Sequence, residues 1–386
     1  MNFISAFPKR FSLVFQLIIL VSVFLICSCK KEDKTDPTPA LVLPGHYDTT
    51  AFSTNTFREK AILAQFKTLV DSIKKGRSLG QVVSRTGLNL LFEQGNPSLF
   101  SLNTAEMRES LSGDAGWFAR VASASGNSYT PGTPMGTGGV FGGYLFDQNG
   151  LEPEQLIEKG QFGSVLFHQA CLLMESQKTP ATADQVLAIM GSNPTFPNTT
   201  TVSKTARPDA WFATYLARRD KNDGQGFYDQ MKRHLIRYQA ACKAGEAYAA
   251  DRNAASSDIR MTWEKANGAT IINYCHSVIS TMSKTSTTDF DKAGALHALG
   301  ECIGFSTGFL AVPSRFRIIT DSQLLQILDL LRAPKGQTPT CYLFVTRPVD
   351  ELGRLSQVIS LLKSTYGFTD TQIEDFRKNW IQEQGR

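Results

Sequence analysis

His297 and Glu301 are the two residues whose types and spacing are best suited to chemistry. They lie four residues apart in a segment predicted to be helical, so their side chains share one face of that helix. The stretch from Gly294 to Glu301 is otherwise built of Ala, Leu and Gly, which predicts a buried helix. A buried imidazole and a buried carboxylate need hydrogen-bond partners or a metal ion. The pair is therefore either the start of a metal or haem site or a His–Glu hydrogen bond inside a helical core.

Two other clusters offer metal-binding residue types. His168 and Glu175 lie seven residues apart on another predicted helix and again share one face, either as secondary candidate ligands or as an ordinary half-exposed pair. The segment 147–152 supplies oxygen ligands around a Gly but lacks the full spacing of a calcium loop. We interpret it as a turn followed by a helix N-terminus, where Glu152 and Glu154 would be favourable in the first turn.

Several familiar chemistries lack their motifs. The chain has no HExxH sequence and no Gly-Lys-Ser/Thr phosphate loop, which argues against a conventional zinc protease and a P-loop enzyme. Its charged residues are 19% of the total with a net charge of +5, too weak an imbalance to indicate nucleic-acid binding. Five cysteines follow residue 29 without any CxxC pair, so we expect mostly buried thiols, with one or two disulfides as the alternative. These cysteines are Cys171, Cys242, Cys275, Cys302 and Cys341.

The elements that must position these residues are predicted to be helices nearly throughout. Apolar spacing indicates helices near 55–75, 79–92, 104–121, 152–177, 181–191, 208–221, 226–250, 256–283, 289–311, 321–332, 349–364 and 370–383. The Gly- and Pro-rich stretch 122–143 is predicted to be a loop. Residues 338–345 are compatible with one short strand, but a lone strand would have no partner. The fold class is therefore all-α, a multi-helix bundle formed by a single domain over 46–386.

The N-terminal segment has the features of a targeting signal. Lys9 and Arg10 precede an apolar run over 11–27, which suits a signal peptide better than a transmembrane helix. The run ends in Leu25-Ile26-Cys27-Ser28-Cys29, a bacterial lipobox, so residues 1–28 are predicted to be removed and Cys29 lipidated. The alternative is an ordinary signal peptide with incidental cysteines. Residues 29–45 form a charged, Pro-containing tether. We expect an outer-membrane lipoprotein on the cell surface or the periplasmic face. It would be attached to the membrane through the lipid on Cys29 and would not bind nucleic acid.

Three blocks of the sequence resemble an uncharacterised, all-helical family of Bacteroidota lipoproteins. They are 144–152 continued by 155–160, then 209–216, and 295–305, and the resemblance covers the chain from about residue 50. That family is similar in general form to imelysin-like proteins, which are linked to iron acquisition. The imelysin motif places Gly two residues before its His and Glu three after it; here Gly294 is three before His297 and Glu301 four after it.

The resemblance implies a binding lipoprotein that serves iron or haem acquisition, with an outer-membrane transporter as its partner. One alternative is a structural or partner-docking lipoprotein without a small ligand, in which the loop 122–143 is the contact surface. A second is a metal-dependent hydrolase, for which the sequence shows neither a third ligand nor a base. Enzymatic activity is the less favoured expectation.

Overall fold

A computed structural model describes residues 39–132 and 134–386, and the fold is all-α, as predicted. The helices are α1 (Phe52–Asn55), α2 (Phe57–Lys74), α3 (Arg85–Glu93), α4 (Leu99–Leu102), α5 (Ala105–Ser112), α6 (Trp117–Ala124), α7 (Pro153–Gln161), α8 (His168–Ser176), α9 (Pro180–Met190), α10 (Trp211–Arg218), α11 (Phe227–Ala244), α12 (Ala249–Met282), α13 (Asp289–Leu310), α14 (Asp321–Leu330), α15 (Leu343–Thr346), α16 (Pro348–Tyr366), α17 (Asp370–Asp375) and α18 (Trp380–Gln384). A π-helical segment, Phe162–Phe167, joins α7 to α8, and strands β1 (Gly139–Phe141) and β2 (Tyr144–Phe146) pair antiparallel.

Local sequence signals set several of the helix starts. Thr320 and Thr369 each form a capping box with a Gln three residues later, where such starts are expected from sequence. Thr104 accepts a hydrogen bond from the backbone N–H of Met107 at the start of α5. These caps satisfy backbone donors that the first helical turn leaves without partners.

Helix α13 lies at the centre of the packing that builds the site. It packs against both α12 and α7, and α12 in turn packs against α11 and α16. Glycines let α13 approach α7 closely, because a Cβ at Gly304 would lie 2.4 Å from the carbonyl oxygen of Gln155. A Cβ at Gly308 would lie 2.4 Å from the carbonyl oxygen of Gly160. Polar side chains on the two helices can therefore meet across a short distance.

Some of the predicted elements are wrong. Residues 338–345 form no strand but a turn leading into α15, in keeping with the lack of a neighbouring strand to pair with. The loop predicted over 122–143 contains β1 at its end, because Gly142 and Gly143 adopt positive φ and close a hairpin with β2. The helix predicted over 104–121 is interrupted between α5 and α6 by residues 113–116, which include two glycines.

The predicted signal peptide, Cys29 and most of the tether lie outside the described residues. Residues 39–46 have no helix or strand and are largely exposed, whereas Tyr47 is buried and its hydroxyl donates to Asp184 at 2.7 Å. Leu41–Arg386 pack as one compact unit. Within the described part of the chain, no helix combines the length and apolarity needed to cross a membrane.

Candidate functional site

His297 lies between two carboxylates contributed by two helices. Its Nδ1 is 2.7 Å from Oε2 of Glu152, the residue that precedes α7. Its Nε2 is 3.4 Å from Oε1 of Glu301, one turn further along α13. The predicted proximity of His297 and Glu301 on one helix face is therefore present, and Glu152 is added to it from a segment distant in sequence.

Neighbouring charges determine whether His297 and Glu301 are ionised. Burial opposes a charged imidazole, but Glu152 and then Glu301 raise the pKa of His297 to about 10. Burial likewise opposes a charged Glu301, but Lys159 and then His297 lower its pKa to about 2. At neutral pH His297 is therefore an imidazolium ion and Glu301 is ionised.

Arg77 completes one side of the cluster. Its guanidinium donates to both oxygens of Glu154, at 2.6 and 2.8 Å, and to Glu152 at 3.2 Å. Both carboxylates are fully buried, and burial raises the pKa of Glu154 to about 7 although Arg77 opposes the shift. Tyr144 of β2 stacks on His297 with a centroid separation of 4.3 Å, and the Arg77 guanidinium lies 4.9 Å from the same tyrosine ring. The hairpin thus holds the imidazolium ring in place.

Lys159 and Tyr215 complete the other side. The Tyr215 hydroxyl donates to Oε2 of Glu301 at 3.3 Å. Lys159, which is 5% exposed, lies 3.2 Å from Glu158 and packs its ammonium over the rings of Phe162 and Tyr215. Burial opposes its charge, but Glu158 and Glu301 together raise its pKa above the ordinary value.

This cluster forms part of the wall of an open groove with a volume of about 530 Å³. The remaining wall comes from α2, α7 and α10, and combines cationic, acidic and aromatic side chains. The lining residues are Lys67, Val70, Asp71, Lys74, Arg77, Gln155, Glu158, Lys159, Phe162, Ala210, Trp211, Thr214, Tyr215, Arg218, His297 and Glu301. The size falls within the range of small-molecule sites.

The backbone around the groove is irregular where it meets the lining residues. Trp211 begins α10 with a φ of 50°, a conformation that costs a bulky residue free energy. Its ring stacks on Phe66 at 4.7 Å, which helps to hold the conformation. Phe162 begins the π-helical segment, a form that occurs frequently at functional sites. Both irregularities place aromatic side chains on the groove.

Metal binding by His297 and Glu301 stays a prediction, and the surroundings of His297 bear on it. Among the residues that the structure describes, no group of three or more His, Cys, Asp and Glu side chains could hold a metal ion. Both nitrogens of His297 already face carboxylates. Ligation through His297 would first remove a proton, at a cost of about 4 kcal/mol at pH 7 for a pKa near 10.

His168 and Glu175, the secondary candidate pair, each contact another part of the chain. Glu175 is exposed and pairs with Arg315 at 3.2 Å. The His168 ring packs against Phe316 at a centroid separation of 5.9 Å, and burial lowers its pKa. Their predicted common helix face is therefore directed toward the Ser314–Phe316 turn.

The segment after β2 forms the predicted turn. Oδ1 of Asp147 accepts hydrogen bonds from the backbone N–H groups of Asn149 and Leu151, at 2.8 and 3.0 Å. Its Oδ2 pairs with Arg120 at 3.2 Å. Both carboxylate oxygens are thus engaged in shaping the entry to α7, which carries Glu152 into the site.

One motif match is a coincidence of sequence. Residues 304–308 read Gly-Phe-Ser-Thr-Gly, the pattern of the serine-hydrolase nucleophile elbow, but they lie inside α13. That elbow requires a sharp strand-to-helix turn. Ser306 is fully buried and donates to the carbonyl oxygen of Cys302 at 2.8 Å, so its hydroxyl serves the helix.

Sequence reasoning missed Arg77, Lys159 and Tyr215 as members of the site. Arg77 lies in a short 3₁₀ turn after α2, with no spacing that relates it to His297. Lys159 gave no signal either, because the helix that carries it reads Pro-Glu-Gln-Leu-Ile-Glu-Lys-Gly-Gln, and a lysine among polar residues indicates an exposed position. No protein-family model, curated protein or solved structure matches this chain, so the resemblance drawn from the three sequence blocks remains a prediction.

Proposed function

We propose that this protein is a lipid-anchored binding protein of the cell envelope, which holds a solute in the groove beside His297 and thereby serves iron acquisition. The observation that carries the binding role is the buried charged cluster beside an open groove. The lipobox ending at Cys29 supports the anchoring, and the family resemblance supports the link to iron.

The energetics of the cluster favour a binding role over a purely structural one. Glu152 and Glu154 are fully buried, and removing an ion from water costs several kcal/mol even after relaxation. Well-packed apolar residues would stabilise a helix crossing at least as well. Charges with shifted pKa values beside a cleft are typical of functional sites. The strained backbone of Trp211 on the same groove points in the same direction.

The protonation of the cluster bears on the form in which iron is bound. His297 is charged and flanked by carboxylates, so a bare ion would have to displace a proton and two ion pairs. Iron held in a chelate brings its own ligands and needs only recognition of the chelate surface. The proposed cargo is therefore a chelated form of iron, with haem as the alternative form.

The proposal is tested in the source bacterium by deleting the gene and measuring cell-associated iron and growth under iron limitation. Wild-type protein should restore both, whereas Cys29→Ala should release the protein from the membrane and restore neither. Arg218→Gln, a change in the groove wall, should be made in normal amounts and also fail to restore iron. Lys60→Gln, on an exposed position of α2 outside the groove, is the matched control and should behave as wild type.

Two results would overturn the proposal. If deletion leaves iron accumulation unchanged, the link to iron is wrong. If Arg218→Gln and a second groove variant, Lys67→Gln, both restore iron at normal protein levels, the groove is not the binding site.

A further inference from the structure

The cations of the groove wall have fewer acidic partners than they need. Glu158 is the counter-ion for two lysines, Lys159 at 3.2 Å and Lys74 at 4.0 Å. Lys67 is matched by Asp71 at 2.5 Å. Arg218 forms no ion pair with any other described residue, and its guanidinium lies 5.1 Å from the centre of the Tyr215 ring. Glu301 also lines the groove and favours the charged forms of Lys159 and Arg218, but its carboxylate is already paired with His297 at 3.4 Å. Because Glu158 and Glu301 are each shared between cations, this part of the wall has surplus positive charge, which favours an anion.

Gln155 indicates a second chemical property of the ligand. It lines the groove one turn before Lys159 on α7 and is only 2% exposed. Its Oε1 is buried and has no hydrogen-bond partner among the described residues. An unsatisfied buried acceptor costs about 1–3 kcal/mol. Because this oxygen has almost no accessible surface, the Gln155 amide must turn to present it to the groove. A ligand hydroxyl donating to it would then remove that cost, so the site favours an anion that also carries a hydroxyl group.

A carboxylate suits the cations of this wall. The guanidinium of Arg218 can bind a carboxylate through two parallel hydrogen bonds, and the lysine ammonium groups supply further point charges. The ligand must also be compact, because the groove volume is about 530 Å³ and much of its wall is polar. These features describe a small acid with several oxygen atoms.

We propose that the groove binds a small hydroxylated carboxylate, with Arg218 and Lys159 binding its carboxylate groups and Gln155 accepting a hydrogen bond from its hydroxyl. This inference rests on the proposed binding function and specifies its ligand class. Such acids are also oxygen-donor chelators of hard metal ions, which makes the class compatible with chelated iron.

The test uses citrate and tricarballylate, two tricarboxylates that differ by the hydroxyl group of citrate. Binding of each, free of iron, is measured by titration calorimetry on the protein from residue 30 onward. Citrate should bind about tenfold more tightly than tricarballylate, the ratio expected for one hydrogen bond to a buried acceptor. Inorganic phosphate is a third probe, and it should bind more weakly than citrate.

Two variants assign the contacts. Gln155→Leu keeps the side-chain volume and removes the unsatisfied oxygen, so it should fold and should abolish the preference for citrate. Arg218→Gln should weaken both tricarboxylates by about tenfold, as loss of a charge-assisted contact predicts. Arg315→Gln removes an exposed arginine outside the groove and is the matched control, with no expected change.

Equal affinities for citrate and tricarballylate, or an unchanged preference in Gln155→Leu, would overturn the inference. So would phosphate binding as tightly as citrate, which would indicate a simple anion site. If none of the three probes binds while groove variants still lose iron in cells, the ligand class is wrong and the binding function stands. If citrate binds as described but deletion leaves iron unchanged, the link to iron is wrong and the ligand class stands.

Discussion

Replacing His297 with Gln removes the cation that separates Glu152 from Glu301. Gln is neutral and of similar length, so the two buried carboxylates are left facing each other without a charge between them. The native imidazolium has a pKa of about 10, compared with about 6.5 for an unperturbed histidine. This difference corresponds to about 4 kcal/mol of stability at pH 7, in line with the 3–5 kcal/mol typical of breaking a buried ion pair.

The same pKa shift gives the variant a distinctive pH dependence. A histidine whose pKa is raised on folding contributes its full stabilisation below the unfolded pKa and loses it as the pH rises through the folded pKa. The contribution should therefore fall from about 4.5 kcal/mol at pH 6 to about 1.5 kcal/mol at pH 9. The free energy of unfolding of wild type and His297→Gln should converge across this range.

Urea unfolding monitored by circular dichroism at pH 6, 7.5 and 9 measures this convergence. His46→Gln is the matched control, since His46 is exposed, and its difference from wild type should stay within about 0.5 kcal/mol at every pH. A His297→Gln difference below about 1 kcal/mol at pH 6, or one that is the same at pH 6 and pH 9, would refute the assignment of His297 as an ionised partner.

Other perturbations test the packing around the site. Gly304→Ala should lower the free energy of unfolding by about 1–3 kcal/mol, because the new Cβ meets a backbone carbonyl of α7. The control Gly353→Ala, on an open face of α16, should raise it by up to about 1 kcal/mol. Unchanged stability of Gly304→Ala in urea unfolding would disprove the close crossing of α7 and α13. Arg77→Met should lower the free energy of unfolding by about 1–3 kcal/mol in the same assay at pH 7, because Glu152 loses a hydrogen-bond donor, whereas Glu154, with a pKa of about 7, can take up a proton; unchanged stability would show that Arg77 does not stabilise these side chains. The thiols of Cys275 and Cys302, fully buried with sulfur atoms 3.9 Å apart, should react with an aromatic disulfide reagent only after unfolding, and rapid reaction of the native protein would contradict their burial.

The helical fold was accessible from sequence because its signals are local. Apolar spacing over α13 and the capping box at Thr320 depend on residues within a few positions of each other. The hairpin was missed because its strands are three residues each and lie beside a Gly-rich loop, too short for an alternating pattern to register. The single strand considered over 338–345 is absent for a related reason, since a short apolar run does not distinguish a strand from a helical turn.

The candidate site was only half accessible from sequence. His297 and Glu301 share a helix face, so their spacing sufficed to bring them together. Their partners come from the 3₁₀ turn at Arg77, the residue before α7, and α10, and nothing in the local sequence relates these segments to one another. The protonation of His297 depends on those partners, so it could not be predicted from the local sequence either. The spacing that indicates a metal-ligand pair is also the spacing of an imidazolium held by carboxylates.

The tight crossing of α7 and α13 has a kinetic consequence for any molecule that enters the groove. The glycine contacts leave the two helices no room to slide, so Gln155, Lys159 and Glu301 present a floor whose spacing is fixed before binding. Lys67 on α2 also lines the groove, and because two thirds of its side chain is exposed, it can follow an approaching ion. Across a series of related ligands, changes at the end that meets the floor should alter the dissociation rate. Changes in net charge should alter the association rate, with a dependence on salt that the floor contacts do not share.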